Sequence, residues 1–359
     1  MTDIAVESAL QVYHGYTQRK ILVISGVCLA TLVLAVVSMA LGSASISPLD
    51  VLKALTGQAD QRVTQIVVNI RLVRVLSAIV VGMGLAVASC IMQGVLLNPL
   101  ASDFSLGISQ GAAFGAAVAI VAMGAGAVQT AGAGADAVII GNAYVVTLAA
   151  FVGAIAATVA ILLLAKFRGV SPEAMILAGI AMGFLFQAGT ILTQYFANDV
   201  QVASIVFWTF GDIGRSSWRD FTVMVAVVVP ATAYFIVNRW NYNALESGDD
   251  IACSLGVNVK RTRMAGMLLA ALMTAVSVAF LGIIAFIGLV SPHVMRRVIG
   301  SDYRYLIPGS CAMGAFLLLV SDTISRTVVA PVVLPVGAIT SFMGAPLFLY
   351  LLVKGYKGS

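Results

Sequence analysis

Ten apolar runs leave this chain few places to fold other than a membrane. They fall at residues 21–41, 75–97, 106–123, 144–165, 173–196, 221–237, 264–284, 286–299, 306–323 and 336–352, each bounded by polar or Gly/Pro-rich breaks. A hydrocarbon core about 30 Å thick takes about 20 helical residues. Of the 359 residues, 60% are hydrophobic and 10% charged, against roughly 25% charged in soluble domains. No soluble core of this size hides that much apolar surface. The expectation is an all-α polytopic membrane protein of about ten transmembrane helices. A further segment, 202–210, is too short to span and is expected to be re-entrant or interfacial. The stretch 264–299 is interrupted only by Gly282 and Gly288 and reads as one span or two.

The first run is too long for a signal-peptide core and is read as a retained span. Residues 1–20 are then a cytoplasmic tail, 21–353 the transmembrane domain, and 238–263 the largest polar loop within it. With the N-terminus inside, thirteen of the 20 lysines and arginines lie inside and seven outside. That asymmetry favours both termini in the cytoplasm. The seven outside are Lys53, Arg62, Arg71, Arg74, Arg215, Arg219 and Arg326. A net charge of +5 is read as attraction to an anionic membrane face and not to nucleic acid. The outside loop 124–142 is Gly/Ala-rich and expected to be mobile.

Missing chemistry narrows the function. The four cysteines, Cys28, Cys90, Cys253 and Cys311, form no C-x-x-C pair, and His14 and His293 have no second ligand at helical spacing, so no metal site is expected. No phosphate-binding G-x-x-x-x-G-K-[ST] loop and no Ser/His/Asp or Cys/His set occurs. The carboxylates nearest membrane depth are Glu173 and Asp322, at span ends, and no ionisable pair sits mid-membrane, where an ion-coupled carrier keeps one. The chain reads as a non-enzymatic membrane body whose energy comes from a partner. A self-sufficient, ion-coupled secondary transporter is the competing class.

The loop offers a device for such a partner. Ser247 is a candidate N-cap with Asp250 three residues on. Asp249 and Asp250 suit a helix N-terminus. Ile251 and Leu255 share a face beside the small Ala252, and Gly256 is a natural terminator. The result is a two-turn amphipathic helix, docking in a protein pocket or lying on lipid headgroups. In the fifth span Gln187, Thr190 and Gln194 share a face with Gly183, either as a polar pathway wall or as partners in interhelical hydrogen bonds. Gly111-x-x-x-Gly115 and Gly179-x-x-x-Gly183 read as close-packing sites. A faint echo links Gly94–Pro99 with Gly288–Pro292 and hints at an inverted repeat.

Several strings in order carry a family resemblance: Ile70-Arg-Leu-Val-Arg74, Val81-Gly-Met-Gly84, Gln93-Gly94, Asn98-Pro-Leu-Ala101 and Leu106-Gly-Ile-Ser109. The second half adds Ser254-Leu-Gly-Val257, the run from Gly282 to His293, Pro308-Gly309, Asp322, Leu334-Pro-Val-Gly337 and Gly344-Ala-Pro346. Over residues 20–355 the chain resembles the FecCD permeases of ABC importers for iron–siderophore complexes, haem and cobalamin. The resemblance implies the type II ABC importer permease fold with an inverted pseudo-repeat and a homodimer around a central pathway. It also implies two cytoplasmic ABC ATPase subunits holding ATP and Mg, an extracytoplasmic binding protein, and a place in the cytoplasmic (inner) membrane; no cofactor is implied for this chain itself. It makes Ser247, Gly248, Asp249, Asp250, Ile251, Ala252, Leu255 and Gly256 the coupling helix. Arg71, Arg74 and Arg326 become docking sites for the binding protein, with Val73 where the family usually has proline. Ser171, Pro172 and Glu173 align with the cytoplasmic gate, of which only Ser171 matches. Iron–siderophore leads as cargo, followed by haem and cobalamin.

Overall fold

The computed structural model describes residues 3–42, 46–124, 126–131, 135–140, 142–167 and 170–355. Arg168 and Lys357, both counted among the inside charges, lie outside the described residues. The chain opens with α1 (Asp3–Ala40) and the short α2 (Pro48–Leu55). Next, α3 (Gln61–Gln65) continues through a wide π-helical turn at Ile66–Leu72 into α4 (Val73–Val95). Then come α5 (Ile108–Ala122), a hairpin of β1 (Gly126–Ala131) and β2 (Ala135–Ile140), α6 (Ala143–Phe167), α7 (Pro172–Tyr195) and α8 (Asp199–Thr209). The second half holds α9 (Trp218–Val237), α10 (Arg239–Glu246), α11 (Asp249–Ser254), α12 (Val259–Leu281), α13 (Ile287–Ile299), α14 (Tyr303–Thr327) and α15 (Val336–Gly355).

Among the described residues seven helices are long and apolar enough to cross a membrane, and α5 and α15 are shorter apolar helices. With α13 this makes the expected ten, although 13 residues give α13 a length of only ~20 Å. The stretch 264–299 is therefore two helices. They part where Gly282 (φ +80°) and Phe286 (φ +66°) take left-handed backbone. A Cβ at Gly282 would fall onto the Trp208 carbonyl, so only glycine fits that break.

Three features add to the sequence reading. The polar N-terminal tail is helical from Asp3 and continuous with the first span, since between residues 3 and 20 there is no proline and a single glycine to stop it. Part of the loop after α5 is paired. It pairs Gly126 with Ile140 and Ala131 with Ala135 in an antiparallel hairpin. And Gly94 and Pro99 straddle the end of α4, whereas Gly288 and Pro292 both lie within α13. The short segment near 202–210 is α8, closed at its start by a capping box between Asn198 and Gln201.

The bundle is built around α4, whose most apolar stretch is 83% buried, while α1 and α7 keep 17% and 22% buried. Helices buried on all sides form the protein interior, and those with bare apolar faces meet lipid or another chain. Small residues set the spacing. Gly82 of α4 and Gly314 of α14 touch backbone to backbone, so a Cβ on either would strike the other's carbonyl oxygen. Gly111 and Gly115 admit the α6 backbone in the same way, and Gly179 and Gly183 receive Leu106 and Gly107. Both expected close-packing motifs are thus contacts within this chain.

Candidate functional site

At one end of the bundle α10 and α11 form a compact pair. Asn243 of α10 donates to Asp302 Oδ1 (3.1 Å) and accepts from the Tyr303 amide (2.8 Å), which ties α10 to the start of α14. Burial pushes the Asp302 carboxyl upward, but bonds from Arg304 and Asn243 outweigh it and hold the group below the usual carboxylate range.

Ser247 does not cap α11. The amides of Ser247 and Gly248 bond back to the Ala244 and Leu245 carbonyls, so Ser247 closes α10 in helical backbone (φ −81°, ψ −3°). An N-cap needs extended backbone, and Gly248 (φ +104°, ψ 159°) takes that position. At the far end Gly256 (φ +82°) completes a Schellman turn, with its amide on Cys253 and that of Val257 on Ala252.

The helix is amphipathic, and its apolar face is turned outward. Ile251 and Leu255 are 51% and 68% exposed, whereas Ala252 is fully buried against its own chain. Asp249 does more than neutralise a helix end. Its two oxygens accept from Arg263 Nη2 (2.8 Å) and Nη1 (3.1 Å), a bidentate pair. Asp250 stays exposed.

The same end holds the aligned gate segment. Ser171 is the N-cap of α7, accepting from the Ala174 amide (3.3 Å), with Pro172 at the first helical position, where its missing N–H costs nothing. Ser171 is half-buried and Glu173 exposed. Farther along α7, Gln187 is exposed and the Thr190 hydroxyl bonds back to Phe186 of its own helix (3.0 Å); Gln194 is half-buried.

The opposite end gathers the three arginines, but around a carboxylate of this chain. Asp322 is fully buried and accepts from Arg74 Nε (2.8 Å) and Arg326 Nε (3.1 Å). Arg326 also donates to Ser38 Oγ (2.6 Å) and to the Leu41 carbonyl (3.1 Å), and Arg74 lies 3.6 Å from Asp212. Arg71 is 6% exposed and donates to the Met39 and Ala40 carbonyls, the orphan acceptors at the end of α1. The arginines meet in space as the motifs suggested, yet their guanidiniums point into the chain and clamp α1, α4 and α14 together. Charge asymmetry flagged them; it carries no information on which buried acid neutralises them.

Two features were not legible in the motifs. A second buried carboxylate, Asp103 (7% exposed), lies in the segment between α4 and α5 and accepts from Ser109 Oγ (2.6 Å). Its neighbour Gly107 packs on Gly179 and Gly183 of α7, which holds the segment carrying Asp103 against that helix. Beside it, Ser102 and Phe104 join Thr209, Phe210, Phe286 and Ser341 around an apolar cavity of about 450 Å³. Among the described residues no cluster of three or more His, Cys, Asp or Glu could hold a metal.

These features describe a many-helix membrane protein with a short helix baring apolar side chains at one end and a charge-clamped carboxylate at the other. The chain belongs to the FecCD transport family, whose profile matches residues 30–354. It is 52% identical over 97% of its length to a Methanocaldococcus jannaschii chain described as an ABC transporter permease, covering 98% of that protein. It is also 37% identical to the hemin transport permease HmuU of Yersinia pestis, covering 91% of this chain and 95% of that one. A solved metal-chelate type ABC transporter in an inward-facing conformation superposes with a TM-score of 0.79 at 27% identity, over 92% of this chain and 98% of that chain.

Proposed function

We propose that this chain is the permease subunit of an ATP-driven importer of a metal chelate, with iron–siderophore first among its cargoes and haem and cobalamin next. One observation carries the reading: α11 is locked into the bundle by Asp249 and offers Ile251 and Leu255 to a partner. Relatives named for hemin, Fe(3+)-citrate and vitamin B12 transport support the cargo class, since each cargo is a metal held by a multidentate organic ligand. In this reading two copies of the chain enclose the pathway in the cytoplasmic membrane, with both termini inside. Two cytoplasmic ATPase subunits hydrolyse ATP with Mg, and this chain performs no catalysis. The bare apolar residues of α7, among them Leu177, Phe184 and Leu192, suit a face that meets the second copy. The extracytoplasmic binding protein docks at the Arg71, Arg74 and Arg326 rim. There the buried guanidiniums act as the frame, and exposed Lys53 and Arg62 provide the free charge.

The test is reconstitution in liposomes with the cognate ATPase and binding protein, following uptake of radio-iron siderophore, haemin and cobalamin. Uptake of one chelate that requires both ATP and the binding protein is the expected result. A secondary transporter has one observation in its favour, the buried carboxylate Asp103. Uptake driven by a pH gradient without the ATPase, and lost in Asp103→Asn, would overturn the importer.

A second expectation concerns the gate. With Ser171→Cys in both copies, a disulfide should form in one nucleotide state, because the N-terminal end of α7 closes the pathway at the dimer axis. Absence of cross-linking in every state would move the gate elsewhere.

A further inference from the structure

Arg263 is the largest of the fully buried side chains, at 2% exposure. A guanidinium carries five donors and no acceptor, and a buried one needs acceptors on every side. Arg263 finds them on three separate elements. Nε donates to the Val95 carbonyl at the last turn of α4 (3.0 Å). Nη1 donates to the Val170 carbonyl, immediately before Ser171 at the start of α7 (3.1 Å). Nη1 and Nη2 both reach Asp249 on α11. Among the described residues no other hydrogen bond joins α11 to α4 or to the turn leading into α7.

The three acceptors differ in character. Val95 O is one of the carbonyls that a helix end leaves without an amide, so Arg263 caps α4. Val170 has a left-handed backbone (φ +62°), uncommon for a β-branched residue and maintained only where its surroundings hold it. Its amide is bonded to Ala165 O (2.8 Å) and its carbonyl to Arg263. Asp249 alone is partly exposed, with 46% of its side chain free. A cavity of about 400 Å³ opens beside the pair, lined by Cys253, Asn258 and Lys260 among others, so α11 has room to shift. The one movable acceptor is thus on the element that docks, and the two fixed ones are on the helix at the centre of the bundle and on the strained turn next to the aligned gate.

We propose that Arg263 is the positioning residue through which displacement of α11 reaches the end of α4 and the start of α7. This rests on the importer reading for its purpose, though not for its geometry. Lysine cannot replace it, because a single ammonium on a flexible stem cannot span a carboxylate and two carbonyls in fixed directions.

Two measurements test the proposal. In the transporter assembled with its ATPase and binding protein, Arg263→Lys should lower the cargo moved per ATP about tenfold. Retention of the ATPase should be unchanged, since a residue buried this deeply does not touch it. A purely structural role would lower folded yield and leave that ratio intact. In the purified permease alone, Asp249→Ala cuts the link at its exposed side. It should raise hydrogen–deuterium exchange at 96–101 and 170–175 at least about fivefold, with 303–327 unaffected. An unchanged cargo-to-ATP ratio in Arg263→Lys, or an exchange change confined to 249–263 in Asp249→Ala, overturns the proposal. If the unmodified assembly hydrolyses ATP without moving any chelate, the importer reading fails, and the exchange experiment still decides the linkage.

Discussion

Asp322→Asn is expected to be the most destabilising single substitution at the rim, costing about 3–5 kcal/mol, the usual penalty for stripping one partner from a buried ion pair. Asp322 is fully buried between Arg74 and Arg326, and asparagine can accept from them but cannot balance their charge. The loss should extend to α1, because Arg326 reaches Ser38 and Leu41 from the same cluster. Thermal unfolding of the detergent-purified protein measures it, and proteolysis near residue 42 should rise in parallel. Coupling is checked with Arg74→Met: combined with Asp322→Asn it should cost much less than the two separately, since residues sharing one network are non-additive. Stability within about 0.5 kcal/mol of the parent in Asp322→Asn would mean that the cluster is not the clamp. The same geometry predicts that charge reversal at Arg71 and Arg74 damages the fold before it can report on docking, so Lys53 and Arg62 are the positions to reverse in a docking assay.

The combination Ile251→Glu and Leu255→Glu should abolish assembly with the ATPase while leaving the permease folded. Both side chains are exposed, so the isolated chain loses little. Covering an isoleucine or leucine is worth about 1.5–3 kcal/mol each, and buried carboxylates add a desolvation cost. The joint loss of about 4 kcal/mol or more lowers affinity about a thousandfold. Co-purification of the two subunits reads it directly, and unaltered co-purification would place the ATPase elsewhere. Ala252→Arg, by contrast, is a folding mutation: Ala252 has no free surface, and a long charged side chain there has to displace the chain's own packing. Its expected signature is low folded yield.

The span pattern, the terminator Gly256 and the close-packing glycines were all legible, because each depends on a residue and its near neighbours in the chain, whereas the choice between one span and two over 264–299 was left to the structure. The short helix α11 was legible too, apart from its start. Ser247 has the chemistry of an N-cap, but the end of α10 claims its backbone, and no local pattern shows where one helix stops when another begins two residues on.

Charge partners were not legible. Arg74 and Asp322 are 248 positions apart, and Arg263 reaches Val95 across 168 and Val170 across 93. Arg71, Arg74 and Arg326 therefore read as docking sites on the outer side, and Arg263 as one more inside charge. Nor did Asp103 stand out, since the segment between α4 and α5 looks like an ordinary surface connection until Gly107 packs on Gly179 and Gly183. Apolar runs commit a chain to helices in a bilayer, because every unsatisfied backbone group there must be bonded within its own segment. Which arginine meets which carboxylate, and which face of a two-turn helix is left bare, depends on how those helices cross, and the crossing is set by side chains far apart in the chain packing at contact distance.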